Sequence, residues 1–404
     1  MTDDHASLFE AALADYLVPR GWWRSRCGSC GREYFGKGAT ACGSPWCPAQ
    51  QPTREPAGAY IPLERVWSRL RAALLRHGLQ PFAMADLATG AVQTDLVVSA
   101  LQYLDPIVHG GAALVDGPVV LSQPCVRWQF LPEAEAGTGY FSSFVNLSSL
   151  QIGPSDLDRR IGGHIDLWLD ALSALGIHAR RLTIALTDEE CAFGPYRGRR
   201  ADINCEGIEI GEANWYFAVT DARGRDLSVI DFGFAFEKIA WAANPGEDWQ
   251  SLFCPAPHMA HPPGALFVDR VRTLALASAY DLSPGSRGPR RHVRRLARDL
   301  VPYFLAGRGL HSALELATTY WRLFAVPTVG GEQSVRAAFA AIEHEAAAAV
   351  SGVLGLPAPP RGNSFAEYCD RIAAEGGERP SIRAAIRRLA DVQEAFLPPG
   401  AANG

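Results

Sequence analysis

Four cysteines close to the start of the chain impose the strongest constraint on its fold. They form two close pairs, Cys27-Gly-Ser-Cys30 and Cys42-Gly-Ser-Pro-Trp-Cys47, separated by eleven residues. Glycine inside or directly after a pair lets the backbone turn both sulfurs toward one point, and four thiolates are common ligands of structural Zn²⁺. The spacing therefore predicts a zinc knuckle with Cys27, Cys30, Cys42 and Cys47 as ligands.

Two other interpretations of these thiols stay open at this point, a knuckle that has lost its metal and free thiols in a reducing compartment. A disulfide framework does not fit, because the nine cysteines are an odd number and the other five are scattered. A zinc ion with four protein ligands has no open coordination position, so it would stabilise the fold without taking part in a reaction.

Periodicity divides the 404 residues into three predicted regions. Residues 1–58 contain a short helix, the cysteine segment and a proline-rich linker. Residues 59–264 mix short runs of β-forming residues with few helices, which predicts an α+β core dominated by antiparallel strands. In residues 265–404 apolar side chains recur at helical spacing in five segments, which predicts an all-helical domain.

Charge restricts the partners of the chain. The 38 basic and 43 acidic residues give a net charge of −5, so contact with nucleic acid requires a local basic patch. One such patch is a stripe of arginines spaced three or four residues apart, from Arg287 to Arg298, on a helix that Pro289 is expected to begin. This stripe suits the phosphate backbone of RNA, although the solvated face of an arginine-rich protein has the same pattern.

The sequence gives no indication of a membrane partner. No apolar run approaches 18 residues, and the N-terminal segment carries Asp3 and Asp4 in place of a basic region followed by an apolar one. These features predict neither a membrane span nor a signal peptide, and hence a cytoplasmic location. The sequence carries no signal for an oligomeric state.

Three core segments have residues suited to ligand chemistry. A strand ends at Arg127 and is followed by a second strand from Tyr140 to Leu147, and an arginine held on such a hairpin suits a phosphate group. A predicted strand from Ile203 to Phe217 carries Glu209 and Asn214. A third strand runs through Asp231 and Gly233 into a helix, and this carboxylate beside a glycine suits the ammonium group of a small ligand.

Together these segments resemble the archaeal-type alanyl-tRNA synthetases, which are class II enzymes. The resemblance covers about residue 20 to at least residue 300. It is carried by five segments, namely Gly21-Trp-Trp with the cysteine pairs, Gln123-Pro-Cys-Val-Arg127, Ile230-Asp-Phe-Gly-Phe-Ala-Phe-Glu-Lys-Ile239, Asp269-Arg-Val-Arg, and Ser286-Arg-Gly-Pro-Arg-Arg-His-Val-Arg-Arg295. It implies a class II antiparallel sheet core with an N-terminal zinc knuckle, followed by a helical domain that contacts the tRNA acceptor stem. The family's editing and C-terminal domains have no counterpart, so the chain resembles a truncated paralogue.

The resemblance also implies roles for individual residues. Arg127 and Asp231 would be catalytic, with Arg127 contacting the α-phosphate and Asp231 holding the amino group of alanine. We expect the substrate-binding set to be Asp231, Gly233, Asn214 and Glu209. We expect ATP or another adenosine-type nucleotide, with Mg²⁺ as its companion ion, to contact Arg127, Phe144, Leu147 and Lys238.

Departures from the family pattern concern mainly the outer phosphates of ATP. Tyr140-Phe-Ser-Ser-Phe-Val-Asn146 stands where the family has Arg-His-His-Thr-Phe-Phe-Glu, and Lys238 stands where its third motif ends in arginine. A charged hydrogen bond contributes about 1.5 to 3 kcal/mol, so the loss of two or three predicts triphosphate binding weaker by orders of magnitude. Near the amino-acid pocket, Asn214 replaces a small apolar residue and Cys191 replaces tryptophan.

Three functions are compatible with these features. The first is an alanyl transferase that acts on a nucleoside-like small molecule, with alanyl-adenylate or alanyl-tRNA as donor. The second is a minimal ligase that charges tRNA with alanine, and the third is a non-catalytic paralogue that binds these ligands for regulation.

Overall fold

The computed structural model of the chain describes residues 3–49, 59–77, 84–87, 94–114, 117–128, 139–153, 160–187, 189–253, 264–307, 309–326, 331–357, 359–360, 362–375 and 378–390. The chain forms two compact units. The first comprises Met1–Cys125 with Phe144–Glu247, and the second comprises Val126–Ser143 with Asp248–Gly404.

An antiparallel sheet organises the first unit. Its nine described strands are β1 Trp23–Arg26, β2 Glu33–Gly36, β3 Val119–Val126, β4 Ser143–Gly153, β5 Leu182–Leu186, β6 Cys191–Phe193, β7 Tyr196–Cys205, β8 Ile208–Thr220 and β9 Asp226–Ala235. The strand order is β1-β2-β5-β7-β8-β9-β4-β3, and β6 pairs with β7. The predicted α+β class with an antiparallel sheet is therefore confirmed.

Helices of the first unit pack against this sheet. They are α1 Asp3–Leu17, α2 Leu63–Arg76, α3 Asp105–Val108, α4 Ile161–Ser173 and α5 Phe236–Ala243. Trp168 of α4 stacks on Phe234 of β9 with ring centroids 4.0 Å apart. Helix α1 packs closely on α4, because a Cβ atom at Gly162 would lie 2.3 Å from the ring of Tyr16. On the opposite face, Ile107 and Val108 of α3 belong to a buried apolar cluster with Leu150 of β4 and Val229 of β9.

The structure divides the strand predicted from Ile203 to Phe217. Strand β7 ends at Cys205 and β8 begins at Ile208. Between them, Glu206 and Gly207 both have positive φ angles, 47° and 88°, which is the backbone of a tight two-residue hairpin turn. The predicted single strand is therefore a hairpin, and its two arms are neighbours in the sheet.

Helices make up the described part of the second unit outside the segment that ends at Ser143. They are α6 Trp249–Leu252, α7 Ala265–Ala279, α8 Gly288–Asp299, α9 Val301–Leu305, α10 Leu310–Arg322, α11 Gly331–Leu354, α12 Phe365–Ala374 and α13 Arg379–Ala390. The predicted helix from Arg291 to Phe304 is thus two helices. The break precedes Pro302, which has no N–H to continue the hydrogen-bond ladder. Helix α10 is absent from the five predicted helical segments.

Helix α11 packs against α7, α8, α9, α10, α12 and α13. By length and composition alone its residues Glu332–Leu354 can cross a membrane, with a mean hydropathy of 1.2, and they are the one such helix among the described residues. Core helices surrounded by neighbours have the same composition, so this single helix is weak evidence for a membrane span.

The predicted domain boundaries near residues 58 and 264 adjoin ranges outside the described residues, 50–58 and 254–263. The predicted linker lies within the first of these ranges. The three-region division therefore stays a prediction beside the two observed units.

Candidate functional site

The four predicted zinc ligands come together in one cluster. Their sulfur atoms all lie within 4.8 Å of one another. The Sγ atoms of Cys27 and Cys47 are 3.6 Å apart, and those of Cys30 and Cys42 are also 3.6 Å apart. Zn–S bonds of 2.3 Å in a tetrahedron place sulfurs about 3.8 Å apart. The cluster therefore has the size and the donor set that a structural Zn²⁺ requires.

Backbone groups around Cys27 also suit a metal thiolate. Burial alone would raise the pKa of this thiol, but backbone hydrogen bonds from Cys42, Cys30 and Ser29 outweigh it and lower the pKa to about 6. The turn between the first two ligands closes with a 2.9 Å hydrogen bond from Gly31 N–H to the Cys27 carbonyl. These N–H donors stabilise negative charge on sulfur, which is the form that binds zinc.

Strand pairing and side-chain hydrogen bonds attach the knuckle to the main sheet. Strand β2 pairs with β5, and the Cys42 carbonyl accepts hydrogen bonds from Thr183 Oγ1 at 2.5 Å and Asn204 Nδ2 at 3.3 Å. Gly43 has a φ of +71°, and a Cβ atom there would lie 2.5 Å from Thr183 Oγ1. Only glycine therefore fits this close approach between knuckle and sheet.

Two adjacent rows of residues cross β7, β8, β9 and β4 on the face opposite α4. Residues directly opposite each other on antiparallel strands share a face. The first row is Arg200, Asn214, Asp231 and Leu150, and the second is Asp202, Glu212, Gly233 and Ser148. We call these eight residues the polar face, and it contains three of the four predicted substrate-binding residues.

Asp231 is the acid at the centre of the polar face. It is 5% exposed, and Ser148 Oγ donates a 2.5 Å hydrogen bond to its Oδ1. The neighbouring Gly233 leaves space beside the carboxylate, because a Cβ atom there would meet Asn146 Nδ2 at 3.4 Å and Asp231 Oδ1 at 3.6 Å, which is ordinary contact. A small cationic group can therefore approach Asp231 over Gly233.

Asn214 lies directly opposite Asp231 on the neighbouring strand. It is 3% exposed, and its buried Oδ1 accepts no hydrogen bond from any described residue. A buried amide oxygen without a donor costs about 1 to 3 kcal/mol, so such groups mark places where a ligand supplies the missing hydrogen. Asp231 and Asn214 thus present two acceptors to one small space.

The polar face also contains ion pairs. Arg200 lies 3.2 Å from Asp202 and 3.5 Å from Glu212, and Arg32 lies 2.9 Å from Asp202. Burial raises the pKa of Asp202, although Arg200 and Arg32 oppose this effect. Burial followed by the charge of Asp231 also raises the pKa of Tyr216, so that hydroxyl stays protonated.

Glu209 and Lys238, predicted to bind substrate and nucleotide respectively, lie beside each other. Lys238 Nζ is 3.9 Å from Glu209 Oε1, and both side chains are mostly buried. Burial raises the pKa of Glu209, and the charge of Lys238 opposes it. The position of Lys238 next to a carboxylate reduces the charge it can offer to a phosphate.

The two predicted nucleotide contacts on β4 lie on opposite faces of the sheet. Phe144 shares the face of Asn146 and Ser148, whereas Leu147 is opposite Phe234, whose ring stacks on α4. Side chains alternate between faces along a strand, so residues three apart cannot share one. The position of Leu147 therefore contradicts a contact on the side of Asp231.

Arg127 belongs to the second unit, and a chain of buried hydrogen bonds holds its backbone there. Its N–H donates to the Ser142 carbonyl at 2.7 Å. Ser142 in turn donates to Asp269 through its N–H at 2.6 Å and its Oγ at 2.8 Å. Burial raises the pKa of Asp269, while the adjacent charge of Arg270 opposes that shift. The adjacent Trp128 stacks on His292 with ring centroids 4.4 Å apart.

The arginine stripe lies on α8, and the structure divides it into two groups. Arg294 and Arg298 form ion pairs with the buried Glu345 of α11, at 2.7 Å and 3.3 Å. Arg287, Arg290 and Arg291 are exposed and have no ion pair with any described residue. The stripe is therefore partly an internal ion-pair network.

Sequence reasoning missed several residues of the polar face. Arg200, Asp202, Glu212 and Ser148 were not among the predicted site residues. One signal was present in β4, a wholly buried strand in which Asn146 and Ser148 are polar at every second position. Polar residues on one face of a buried strand indicate that this face is occupied by something other than apolar core.

Comparison with models of known protein families and with curated protein sequences gives no match to this chain. The function is therefore inferred from the chemistry of the residues.

Proposed function

We propose that this protein is a class II synthetase-like alanyl transferase. It binds alanine and an adenylate-type nucleotide and transfers the alanyl group to a nucleoside-like small molecule, with alanyl-adenylate or alanyl-tRNA as donor. A structural Zn²⁺ held by Cys27, Cys30, Cys42 and Cys47 supports the edge of the sheet and takes no part in the reaction.

The observation that carries this proposal is the pair of acceptors at Asp231 and Asn214. An α-ammonium group has three N–H donors, so it can donate to the Asp231 carboxylate and to the unsatisfied Asn214 Oδ1 at the same time. Gly233 provides the space for the rest of the amino acid. A cationic ligand is favoured over an anionic one, because an anion beside the Asp231 carboxylate would be repelled in a poorly solvated position.

In the proposed reaction the alanine carboxylate attacks the α-phosphorus of ATP and pyrophosphate leaves. An acceptor hydroxyl oxygen then attacks the alanyl carbonyl carbon, AMP leaves, and the hydroxyl proton is released. Asp231 and Asn214 hold the ammonium group still during both steps, which lowers the entropy cost of reaching the transition state. The proposal assigns to Arg127 the neutralisation of charge on the α-phosphate.

The ion pairs within the arginine stripe favour a small acceptor over tRNA. Glu345 and Asp299 neutralise part of the charge of this stripe, and affinity for an RNA backbone falls as the number of uncompensated positive charges falls. The second candidate function, tRNA charging, is supported by the exposed Arg287, Arg290 and Arg291.

Exchange of labelled pyrophosphate into ATP, measured with each amino acid in turn, is the first test. We expect weak exchange that depends on alanine and falls about 100-fold or more in Arg127→Ala. Unchanged exchange in that variant would remove Arg127 from the mechanism. Absence of exchange would reject activation of alanine from ATP and leave a preformed alanyl donor.

Calorimetric titration with a nonhydrolysable alanyl-adenylate analogue tests the ligand itself. Asp231→Asn should weaken this binding at least tenfold, because the hydrogen bond to a charged partner is lost. Arg223→Gln, in the exposed turn that joins β8 to β9, serves as the control and should bind like the unaltered chain. Equal binding by Asp231→Asn would contradict the proposed amino-acid site.

A further inference from the structure

The second unit contains a basic pocket that the proposed function does not use. It encloses about 510 Å³, which lies within the range of small-molecule sites. It is formed by α8 and the residues just before it, and its lining includes Ser286, Arg291, His292, Arg294, Arg295 and Arg298. We call this cavity the arginine pocket.

Helical spacing directs the four arginines into the pocket. Arg291, Arg294, Arg295 and Arg298 stand at successive intervals of three, one and three residues, so they occupy one face of α8. The opposite face packs inward through the buried Val293, Leu296 and Ala297. The arginines therefore converge because the apolar face of the helix fixes its rotation.

Acidic residues balance only part of this charge. Glu345 accepts from Arg294 Nε at 2.7 Å and lies 3.3 Å from Arg298 Nη2, while Asp299 is 4.0 Å from Arg295. Asp299 also pairs with Arg270, which Asp269 neutralises in turn. The four arginines carry four positive charges, and Glu345 and Asp299 carry two negative charges. Two positive charges therefore remain in the pocket, without His292.

Glu345 also orients the arginines. It is 3% exposed, so its carboxylate and the arginine nitrogens that bind it have little freedom to move. A guanidinium group held on one side by a buried acid presents its remaining N–H donors in a fixed direction, and such fixed forks match phosphate oxygens. Ser286 adds a hydroxyl donor at the wall of the pocket.

We infer that the arginine pocket binds a terminal phosphate group, a phosphate monoester of charge close to −2. The two uncompensated charges match such a dianion, and arginines that line one open pocket suit one terminal group better than a continuous diester backbone. The phosphate belongs either to a small phosphorylated metabolite or to the phosphorylated end of an RNA. This inference does not depend on the proposed chemistry at Asp231.

Binding in the arginine pocket can be followed by the fluorescence of a nearby tryptophan. His292 lines it, and its ring stacks on the indole of Trp128. A phosphate beside His292 favours the imidazolium form, which quenches a stacked indole. Occupancy of the pocket should therefore change the fluorescence of Trp128, and Trp128→Phe should lose this change while still binding.

Calorimetric titration of the full chain with ribose 5-phosphate and with ribose tests the inference. These probes carry no base, so they do not report on the proposed nucleotide site. We expect saturable binding of ribose 5-phosphate with a dissociation constant at or below about 1 mM and none of ribose. Absence of ribose 5-phosphate binding would overturn the inference.

A matched pair of double variants locates the binding. Arg291→Gln with Arg295→Gln removes two exposed pocket arginines and should weaken binding at least about tenfold. Arg287→Gln with Arg290→Gln removes the same charge from the same helix outside the pocket lining and should leave binding unchanged. Equal weakening by both would mean that general surface charge attracts the phosphate and would overturn the inference.

A short RNA duplex with and without a 5′-phosphate distinguishes the sources. A preference for the phosphorylated duplex that is lost in Arg291→Gln with Arg295→Gln identifies an RNA end. Ribose 5-phosphate binding without such a preference identifies a small metabolite. RNA binding that both double variants reduce equally, without binding of the sugar phosphate, would overturn the inference. It would indicate a surface that contacts the RNA backbone.

Discussion

At the scale of single residues, Gly233 is a position where a substitution is expected to weaken ligand binding without destabilising the fold. A Cβ atom at this position would lie 3.4 Å from Asn146 Nδ2 and 3.6 Å from Asp231 Oδ1. These are ordinary contacts for the free protein, but the added methyl group would occupy the space through which a ligand reaches Asp231.

We therefore predict that Gly233→Ala folds normally and binds poorly. Its free energy of unfolding should stay within about 1 kcal/mol of the unaltered chain, while affinity for the alanyl-adenylate analogue falls at least tenfold. Denaturant unfolding and calorimetry measure the two quantities.

Gly211→Ala is the contrasting variant for this prediction. A Cβ atom there would lie 2.5 Å from a ring carbon of Phe234 and 2.6 Å from the Gly233 carbonyl oxygen. This overlap should destabilise the fold by about 1 to 3 kcal/mol. Loss of stability in Gly233→Ala, or unchanged ligand affinity, would show that the space over Gly233 has a structural role only.

A buried histidine makes stability depend on pH. His164 of α4 lies 2.8 Å from Ser149 Oγ, and burial lowers its pKa to about 4. The unfolded chain binds a proton at this residue near pH 6.5, whereas the folded chain does so only near pH 4. The unfolded state therefore holds more protons between these values, and stability is complete above pH 6.5 and falls as the pH decreases toward 4.

We predict that this residue alone costs about 2.5 kcal/mol of stability between pH 7.5 and pH 4.5. Denaturant unfolding at both values measures it as the difference between the unaltered chain and His164→Gln. His178→Gln, which changes an exposed histidine, should retain the full dependence. Identical pH profiles for all three chains would contradict the burial effect.

At the scale of elements, we expect the β1–β2 hairpin to depend on a metal ion bound by the four-cysteine cluster. Each of these strands has only four residues, and a two-stranded hairpin of this length is marginally stable in water. Its attachments are the pairing of β2 with β5 and the hydrogen bonds to the Cys42 carbonyl. Four thiolates on one ion would join the turn of the hairpin, at Cys27 and Cys30, to the segment after β2, at Cys42 and Cys47.

We predict that the purified chain contains one zinc ion and that Cys42→Ser loses it. Amide hydrogen exchange in residues 23–36 should then become faster, and a chelator should produce the same change in the unaltered chain. Cys369→Ser, which removes a thiol of α12 in the second unit, should retain zinc and exchange rates. A zinc-free chain with a protected hairpin would show that the cluster needs no metal.

At the scale of the whole molecule, each unit is assembled from segments that are distant in sequence. Residues 126–143 belong to the second unit although they interrupt the first. Within the second unit, Phe141 stacks on Trp249 with ring centroids 4.6 Å apart, and its ring lies 4.6 Å from the guanidinium carbon of the buried Arg272. Ser142 supplies two hydrogen bonds to the buried Asp269.

We therefore predict that a fragment of residues 248–404 is much less stable than the same region of the full chain. Without Ser142, the Asp269 carboxylate loses two donors in a buried position, which costs several kcal/mol. Thermal unfolding followed by circular dichroism should show a broad transition at lower temperature, and a peptide of residues 126–143 should restore cooperativity. A fragment that melts like the full chain would contradict this dependence.

Local sequence patterns were sufficient to predict the fold class and several individual residues of interest. The cysteine spacing predicted the four-cysteine cluster, because all four residues lie in one short segment whose turns are set by nearby glycines. Apolar periodicity identified the α+β class and most helices, since a helix or strand face is read from neighbouring residues. Asp231 and Gly233 could be singled out because the run from strand to helix is continuous in sequence.

Tertiary structure alone decided which side chains meet. Asn214 lies opposite Asp231 because β8 and β9 pair across the turn at residues 221–225, and this pairing sets their register. Leu147 lies on the other face because strand alternation is fixed by pairing, and Arg294 and Arg298 turn to Glu345 because α11 packs beside α8. These contacts join residues far apart in the chain, and their energies depend on burial and register, which a linear pattern does not contain.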